Sequence, residues 1–146
     1  SDMGGGYPNG SEFNFVQQTT SGTTKAALDP WPTPIIFSGF EIGSQIQAGA
    51  SETMPDNHPV RVAYEAHGAG LKTPSWDLTS AYIGVRGATD FWDVVSTGVN
   101  QIGADGGNNW QTSPDSEQSY ITPRATNQTI ADALSALVAK PAGTKE

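Results

Sequence analysis

The sequence contains no cysteine. Disulfide bonds, zinc sites built on thiolates and cysteine nucleophiles are therefore excluded, although this absence does not distinguish a cytoplasmic from a secreted protein. Long apolar runs are missing as well, since no stretch approaches the roughly 20 apolar residues that a membrane-spanning helix needs. The sequence predicts no membrane segment.

Basic residues are scarce. Seven Lys and Arg stand against 15 Asp and Glu, which gives a net charge of −8 at pH 7. Binding to the phosphate backbone of nucleic acids needs clustered Lys and Arg, and so does attraction to an anionic membrane surface. The composition therefore predicts neither a nucleic acid nor a membrane as a partner.

Glycine and proline, by contrast, are abundant. The 146 residues include 17 Gly and 10 Pro, about 18% of the chain against an average usage of about 12%. The excess favours many tight turns and long loops over a helical bundle, and the length suits one domain.

The pattern of apolar residues predicts an α/β fold. Residues 34–39 (PIIFSG) are apolar without alternation, which is typical of a strand buried on both faces in a parallel sheet. Apolar residues at helical spacing predict helices over 40–50, 59–67, 76–86 and 126–140. Residues 25–28 suit a further short helix that Pro30 and Pro32 would end. Thr126 suits the N-cap of the last helix, and Asp105-Gly106 suits the turn of a β-hairpin. One buried strand among several helices predicts a mostly parallel sheet, most of which lies outside this sequence.

A glycine-rich loop stands directly before three residues that suit sugar binding. Residues 4–10 favour close approach of the backbone to a ligand. Glu12, Phe13 and Asn14 then place a carboxylate and an amide on either side of an aromatic ring. Such groups hydrogen-bond sugar hydroxyls while the ring stacks on a sugar face. The alternative is a polar turn with one buried Phe.

Two acidic residues stand at predicted helix starts. Asp77 suits either a helix cap or dipole partner, or an oxygen ligand for Ca²⁺. Glu41 follows the strand end at Gly39, where α/β folds place ligand contacts, and the helix dipole explains it equally well. Residues 108–110 (Asn-Asn-Trp) suit either a pocket wall or a hairpin tip.

Several stretches of the chain follow a familiar order. These are residues 3–8 (MGGGYP), 12–15 (EFNF), 31–43 (WPTPIIFSGFEIG) and 75–79 (SWDLT). Together they resemble the inosine-uridine nucleoside hydrolase family, and most closely its divergent members with a Ser-Trp-Asp motif. The likeness runs over nearly the whole chain and covers the C-terminal half of the family's usual length.

The resemblance implies hydrolysis of the N-glycosidic bond of ribonucleosides, in a Rossmann-like α/β fold with a mostly parallel sheet. The family holds one Ca²⁺ with an N-terminal aspartate cluster and a late aspartate, which Asp77 matches. Glu12 and Asn14 match the pair that hydrogen-bonds the ribose, and Phe13 matches the ring between them. Asn9 is the candidate for an earlier ribose-binding Asn, since the loop here is shorter.

The sequence departs from the family in two respects. Trp76 stands at the position of a His assigned to the leaving base, and an indole cannot donate a labile acid proton. The aspartate cluster is absent from residues 1–146. The resemblance therefore implies that these residues are the C-terminal portion of a single nucleoside-hydrolase-like domain. A missing N-terminal portion or a complementary chain would be a partner, and the isolated chain is expected to be inactive.

Two alternatives without catalysis remain. The chain could be a ribose- or nucleoside-binding relative that lost its acid at Trp76, or a secreted sugar-binding module. In each case the expected ligand is a small molecule, a nucleoside above all. Base preference and assembly into a homo-oligomer stay open.

Overall fold

A computed structural model describes residues 2–3, 12–16, 21–88, 90–114 and 116–140. The glycine-rich loop, with Asn9, lies outside the described residues. The helices and strands, numbered in chain order, are β1 (Asp2–Met3), α1 (Phe13–Val16), α2 (Ser21–Leu28), β2 (Ile35–Gly39), α3 (Phe40–Gly43), β3 (Gln47–Gly49), α4 (Pro59–His67), β4 (Lys72–Pro74), α5 (Trp76–Arg86), β5 (Trp92–Val95), β6 (Gly98–Ile102), β7 (Asn108–Thr112), β8 (Gln118–Pro123) and α6 (Asn127–Val138).

Four strands form the largest sheet, in the order β1-β2-β8-β5. β2 is parallel to both of its neighbours, with Asp2 opposite Ser38 on one side and Ile35 opposite Gln118 on the other. β5 lies at the edge and is antiparallel to β8. The predicted strand at 34–39 is thus confirmed, with both of its pairings parallel.

The fold is a mixed α/β fold, however, and the prediction of a mostly parallel, Rossmann-like sheet is wrong. Besides the antiparallel β5–β8 pair, the described residues form two separate antiparallel pairs, β3 with β4 and β6 with β7. An apolar run indicates that its own strand is buried, but it does not fix the direction of strands elsewhere in the chain. Even within β2 the burial is incomplete, since Ile36 is 43% exposed.

The core lies between the four-stranded sheet and the two longest helices. Tyr82 of α5 and Ile130 and Leu134 of α6 pack with Trp92 and Ile121 of the sheet. The rings of Tyr82 and Trp92 meet edge to face, with centroids 5.7 Å apart. These contacts hold α5 against the sheet and thereby fix where its first residues lie.

Three of the five predicted helices match the structure closely. α4 and α5 have the predicted bounds, and α6 begins after Thr126, whose Oγ1 accepts the Thr129 N–H at 3.2 Å as an N-cap. The helix predicted over 25–28 is longer and begins at Ser21. None of the helices in these ranges is long and apolar enough to cross a lipid bilayer.

The helix predicted over 40–50 is wrong beyond its first turn. α3 ends at Gly43, and residues 47–49 instead pair with β4 as the strand β3. Ile42 and Ile46 are spaced as on a helix face, and both are buried. Burial of two residues four apart therefore did not require a continuous helix between them.

The predicted β-hairpin at Asp105-Gly106 is confirmed. β6 and β7 pair antiparallel, and the Gly103 N–H donates to the Gly107 carbonyl across the turn at 2.7 Å. Gly106 has a φ of +83°, a left-handed conformation that favours glycine. Residues 108–110, given as a pocket wall or a hairpin tip, lie within β7 rather than at the tip.

Candidate functional site

Glu12 is the most deeply buried of the predicted site residues that the structure describes. Its exposed fraction is 1%, and it stands directly before the single turn of α1. The backbone places it there, because the Glu12 carbonyl accepts the N–H groups of Phe15 and Val16 at 3.1 and 3.2 Å. A charged side chain is rarely buried to this extent unless it is paired or functional.

The two oxygens of the Glu12 carboxylate differ. Oε1 accepts the Asn14 N–H at 2.9 Å and the Asn14 Nδ2 at 2.7 Å. Oε2 is also buried, and it has no hydrogen-bond partner among the described residues. One oxygen is therefore held in place while the other keeps its capacity to accept a hydrogen bond.

Burial also changes the acidity of this group. It raises the pKa of Glu12 above the ordinary 4.5, and the hydrogen bonds from the Asn14 N–H and side chain, together with the nearby Phe13 N–H, lower it in part. The burial effect is the larger, because removing a carboxylate from water disfavours its charged form. A hydrogen-bond donor or a positive charge facing Oε2 would restore the ionised form.

The aromatic residues next to Glu12 have opposite exposures. Phe13 is 71% exposed, whereas Phe15 is buried. The alternative of a polar turn with Phe13 buried is therefore wrong, because the buried ring is Phe15 and the ring of Phe13 remains accessible for stacking. Asn14 is exposed beside it, so its amide reaches both solvent and the Glu12 carboxylate.

Trp76 is engaged in packing at the start of α5. Its indole N–H donates to the Phe40 carbonyl at 3.0 Å, and the two rings lie with centroids 5.3 Å apart. Gly43 permits this approach, because a Cβ at position 43 would lie 2.6 Å from the Trp76 Cα. The contacts join α3 to α5 and give the Trp76 N–H a partner within the protein.

Asp77 and Glu41 lie on the two helices that Trp76 joins. Asp77 is exposed in the first turn of α5, where a negative charge is favoured by the helix dipole. Ser75 precedes that helix, yet its hydroxyl does not cap it and instead accepts the Ala48 N–H at 3.1 Å. Glu41 is half-buried, and its carboxylate folds over Gly39, where a Cβ would collide with it.

The described residues do not make up a calcium site. Ca²⁺ takes six to eight oxygen ligands at about 2.3–2.6 Å, and no group of three or more metal-ligating side chains occurs in this part of the chain. Asp77 offers one carboxylate. Any further ligands would have to come from residues outside those described.

The structure brings some predicted site residues together and leaves others apart. Glu12 and Asn14 are in direct contact, and Trp76 adjoins Asp77 at the start of α5. Within the described ranges no hydrogen bond or ion pair joins Asp77 to Glu12. The expectation that they share one cleft stays a prediction.

The sequence analysis singled out Asn108 but did not predict its contact with Glu12, and it missed Asn100 and Gln118, which support that contact. The Glu12 N–H donates to Asn108 Oδ1 at 2.6 Å, and Asn108 Nδ2 donates to Asn100 Oδ1 at 3.1 Å. The Asn100 N–H in turn donates to Gln118 Oε1 of β8 at 2.8 Å. The signal available in the sequence was Asn at two positions of hairpin strands, because Asn is depleted in strands.

No family model matches the chain, and no curated protein or solved structure matches it either.

Proposed function

We propose that Glu12 and Asn14 bind the ribose of a ribonucleoside, in a protein that hydrolyses the N-glycosidic bond. The chain would form the C-terminal portion of that protein. The resemblance to nucleoside hydrolases motivates this assignment, and one observation supports it above all. Glu12 Oε2 is buried without a partner among the described residues, while Oε1 is held by Asn14.

The chemistry of ribosyl transfer suits a carboxylate in this state. Cleavage of the bond to the base develops positive charge on the sugar ring, as in glycoside hydrolysis. A fixed carboxylate in a site of low dielectric stabilises that charge more than it stabilises the neutral substrate. Glu12 would accept a ribose hydroxyl hydrogen bond on Oε2, and Phe13 would stack against the bound nucleoside.

Calcium is part of the proposal only through Asp77, which would supply one of its ligands. When bound, the ion would hold the ribose diol and a water molecule. The other calcium ligands and a general base would have to come from outside the described residues. No step carried by Glu12, Phe13 or Asn14 depends on the metal.

A second candidate is a ribose- or nucleoside-binding protein without turnover. The observation in its favour is Trp76, whose N–H is occupied by the Phe40 carbonyl. An indole has no labile acid proton to give to a leaving base. Such a protein would use the same Glu12 and Asn14 contacts to hold the sugar.

Glu12→Gln tests both candidates when the full-length protein is given inosine and uridine with calcium present. Glutamine keeps the shape and removes the charge, so hydrolysis should fall about 100-fold or more. Glu52→Gln, which removes an exposed carboxylate, is the matched control and should leave the rate unchanged. Ribose binding that weakens in Glu12→Gln, without hydrolysis in the parent protein, would favour the second candidate. If the parent protein showed no hydrolysis and no ribose binding, the proposal would be overturned.

A further inference from the structure

The β6–β7 hairpin reaches Glu12 through a buried pair of amides. Asn108 and Asn100 are both buried, and their side chains hydrogen-bond to each other at 3.1 Å. Asn108 also accepts the Glu12 N–H, across a sequence separation of 96 residues. Buried polar groups of this kind are costly unless each has a partner, so the pair needs a reason to be there.

The two ends of the Asn108 amide have different tasks. Its oxygen faces the Glu12 N–H, which can only donate, while its nitrogen faces Asn100 Oδ1, which can only accept. An ionised carboxylate at position 108 would serve the first contact and lose the second. An aliphatic side chain would lose both.

We infer that Asn108 is a positioning residue for Glu12, holding its backbone so that the buried carboxylate keeps one oxygen toward the ligand. Asn100 fixes the orientation of the Asn108 amide, and Gln118 ties Asn100 to β8 at 2.8 Å. Three successive hydrogen bonds thus connect Glu12 to the four-stranded sheet, in addition to the bonds within its own helical turn. The inference rests on the proposed function, since it gives Asn108 a place in that site.

The strand that carries Asn108 also supplies a matched control. Asn109 is the next residue of β7 and is exposed, because neighbouring side chains on a strand point to opposite faces. Asn108→Asp and Asn109→Asp add the same charge one residue apart. Only the first would disturb the amide pair.

The other charged groups near this region are the same in both variants. Among the described residues they include Asp105 in the hairpin turn and the exposed Lys25–Asp29 ion pair at α2, the helix that contacts α1. A difference between the variants therefore reports on position 108 itself.

The experiment follows the Glu12 carboxyl carbon by NMR through a pH titration of the full chain. Asn108→Asp places a second negative charge near Glu12 and breaks the hydrogen bond from position 108 to Asn100. The pKa of Glu12 should therefore be about one pH unit higher than in the parent protein. In Asn109→Asp it should change far less. Equal titrations in the two variants would overturn the inference.

A second measurement covers the case in which Asn108→Asp does not fold. In the parent protein, the Glu12 amide proton should exchange with solvent at least about 100-fold more slowly than an unprotected amide, because its hydrogen bond is buried. Exchange at the unprotected rate would also overturn the inference. Neither readout requires hydrolysis, so slow exchange and a shifted titration in a protein that does not bind nucleosides would refute the proposed function alone.

Discussion

Glu12 and Asn14 meet at a single oxygen, where Glu12 Oε1 accepts both the backbone N–H and the side-chain amide of Asn14. Both donors belong to the same residue, so a single neighbour orients this oxygen. The partner therefore restrains the buried acid without neutralising it. Oε2 is left without a hydrogen-bond partner among the described residues, and burial raises the pKa of Glu12 by more than the Asn14 hydrogen bonds lower it.

The raised pKa of Glu12 predicts how stability depends on pH. At pH values between 4.5 and the higher pKa of Glu12 in the folded state, the folded protein keeps a proton that the unfolded chain has released. The free energy of unfolding should then fall as pH rises through this window. Glu12→Gln removes the titrating group, so the fall should become shallower in urea denaturation from about pH 4 to about pH 7.

The control for this experiment is Glu52→Gln, which removes an exposed carboxylate. Its pH profile should keep the slope of the parent protein. If Glu12→Gln and the parent lost stability in parallel across the window, burial would not raise the pKa of Glu12.

Asp77→Asn separates a metal ligand from a helix-start residue. Asparagine is also tolerated near helix starts, so without calcium the melting temperature should change little. A calcium ligand would lose the charge that holds a hard cation, and the stabilisation by added calcium should largely disappear. Differential scanning calorimetry of the full-length protein with and without calcium measures both effects. Unaltered calcium stabilisation in the variant would leave Asp77 as a helix-start residue only.

Gly43→Ala tests the close approach of α3 to α5. The new Cβ would lie 2.6 Å from the Trp76 Cα and against its ring. The two helices would have to separate, which should cost about 1–3 kcal/mol in the free energy of unfolding. Urea denaturation gives the cost, and Trp fluorescence should shift as the indole loses its packing.

Gly84→Ala is the matched control, because a Cβ there meets nothing within 4 Å on α5. Alanine favours a helix interior over glycine by about 0.5–1 kcal/mol. The control should therefore stabilise the protein, and a destabilised Gly84→Ala with an unaffected Gly43→Ala would contradict the described packing.

Thr126→Ala should weaken the start of α6. Its Oγ1 accepts the Thr129 N–H at 3.2 Å, and loss of such a cap costs about 1 kcal/mol. For a chain of this length that lowers the melting temperature by about 3 °C. Thr126→Ser keeps the hydroxyl and should behave like the parent in a thermal melt, whereas equal losses in both variants would argue against a capping role.

The local elements were predictable because their signals are local. Thr126 and the apolar spacing after it define α6, and Asp105-Gly106 defines the hairpin turn. In each case the residues that decide the structure lie within a few positions of one another. Sequence patterns predict structure well when the interacting residues are only a few positions apart.

The sheet and the surroundings of Glu12 were not predictable in the same way. The direction of β5 depends on its pairing with β8, which lies more than 20 residues away and leaves no mark on the residues of β5. The sequence around Asn108 gives no indication that this residue contacts Glu12, because the amides of Asn100 and Asn108 could equally have pointed to solvent. Ile42 and Ile46 show the same limit, since both are buried although α3 ends at Gly43 and Ile46 lies between α3 and β3.

The hydrogen bond between Glu12 and Asn108 has a consequence for the order in which the chain folds. Ribosomes release the amino end first, and Glu12 emerges long before its partner 96 residues later. The parallel pairing of β2 with β8 waits for the same downstream stretch. The chain loses the entropy of closing these long loops before the contacts stabilise the fold, so folding should be slow. It should begin in α4, α5 or the β6–β7 hairpin, whose contacts are local. The carboxylate would reach its final environment only after synthesis of this region is nearly complete.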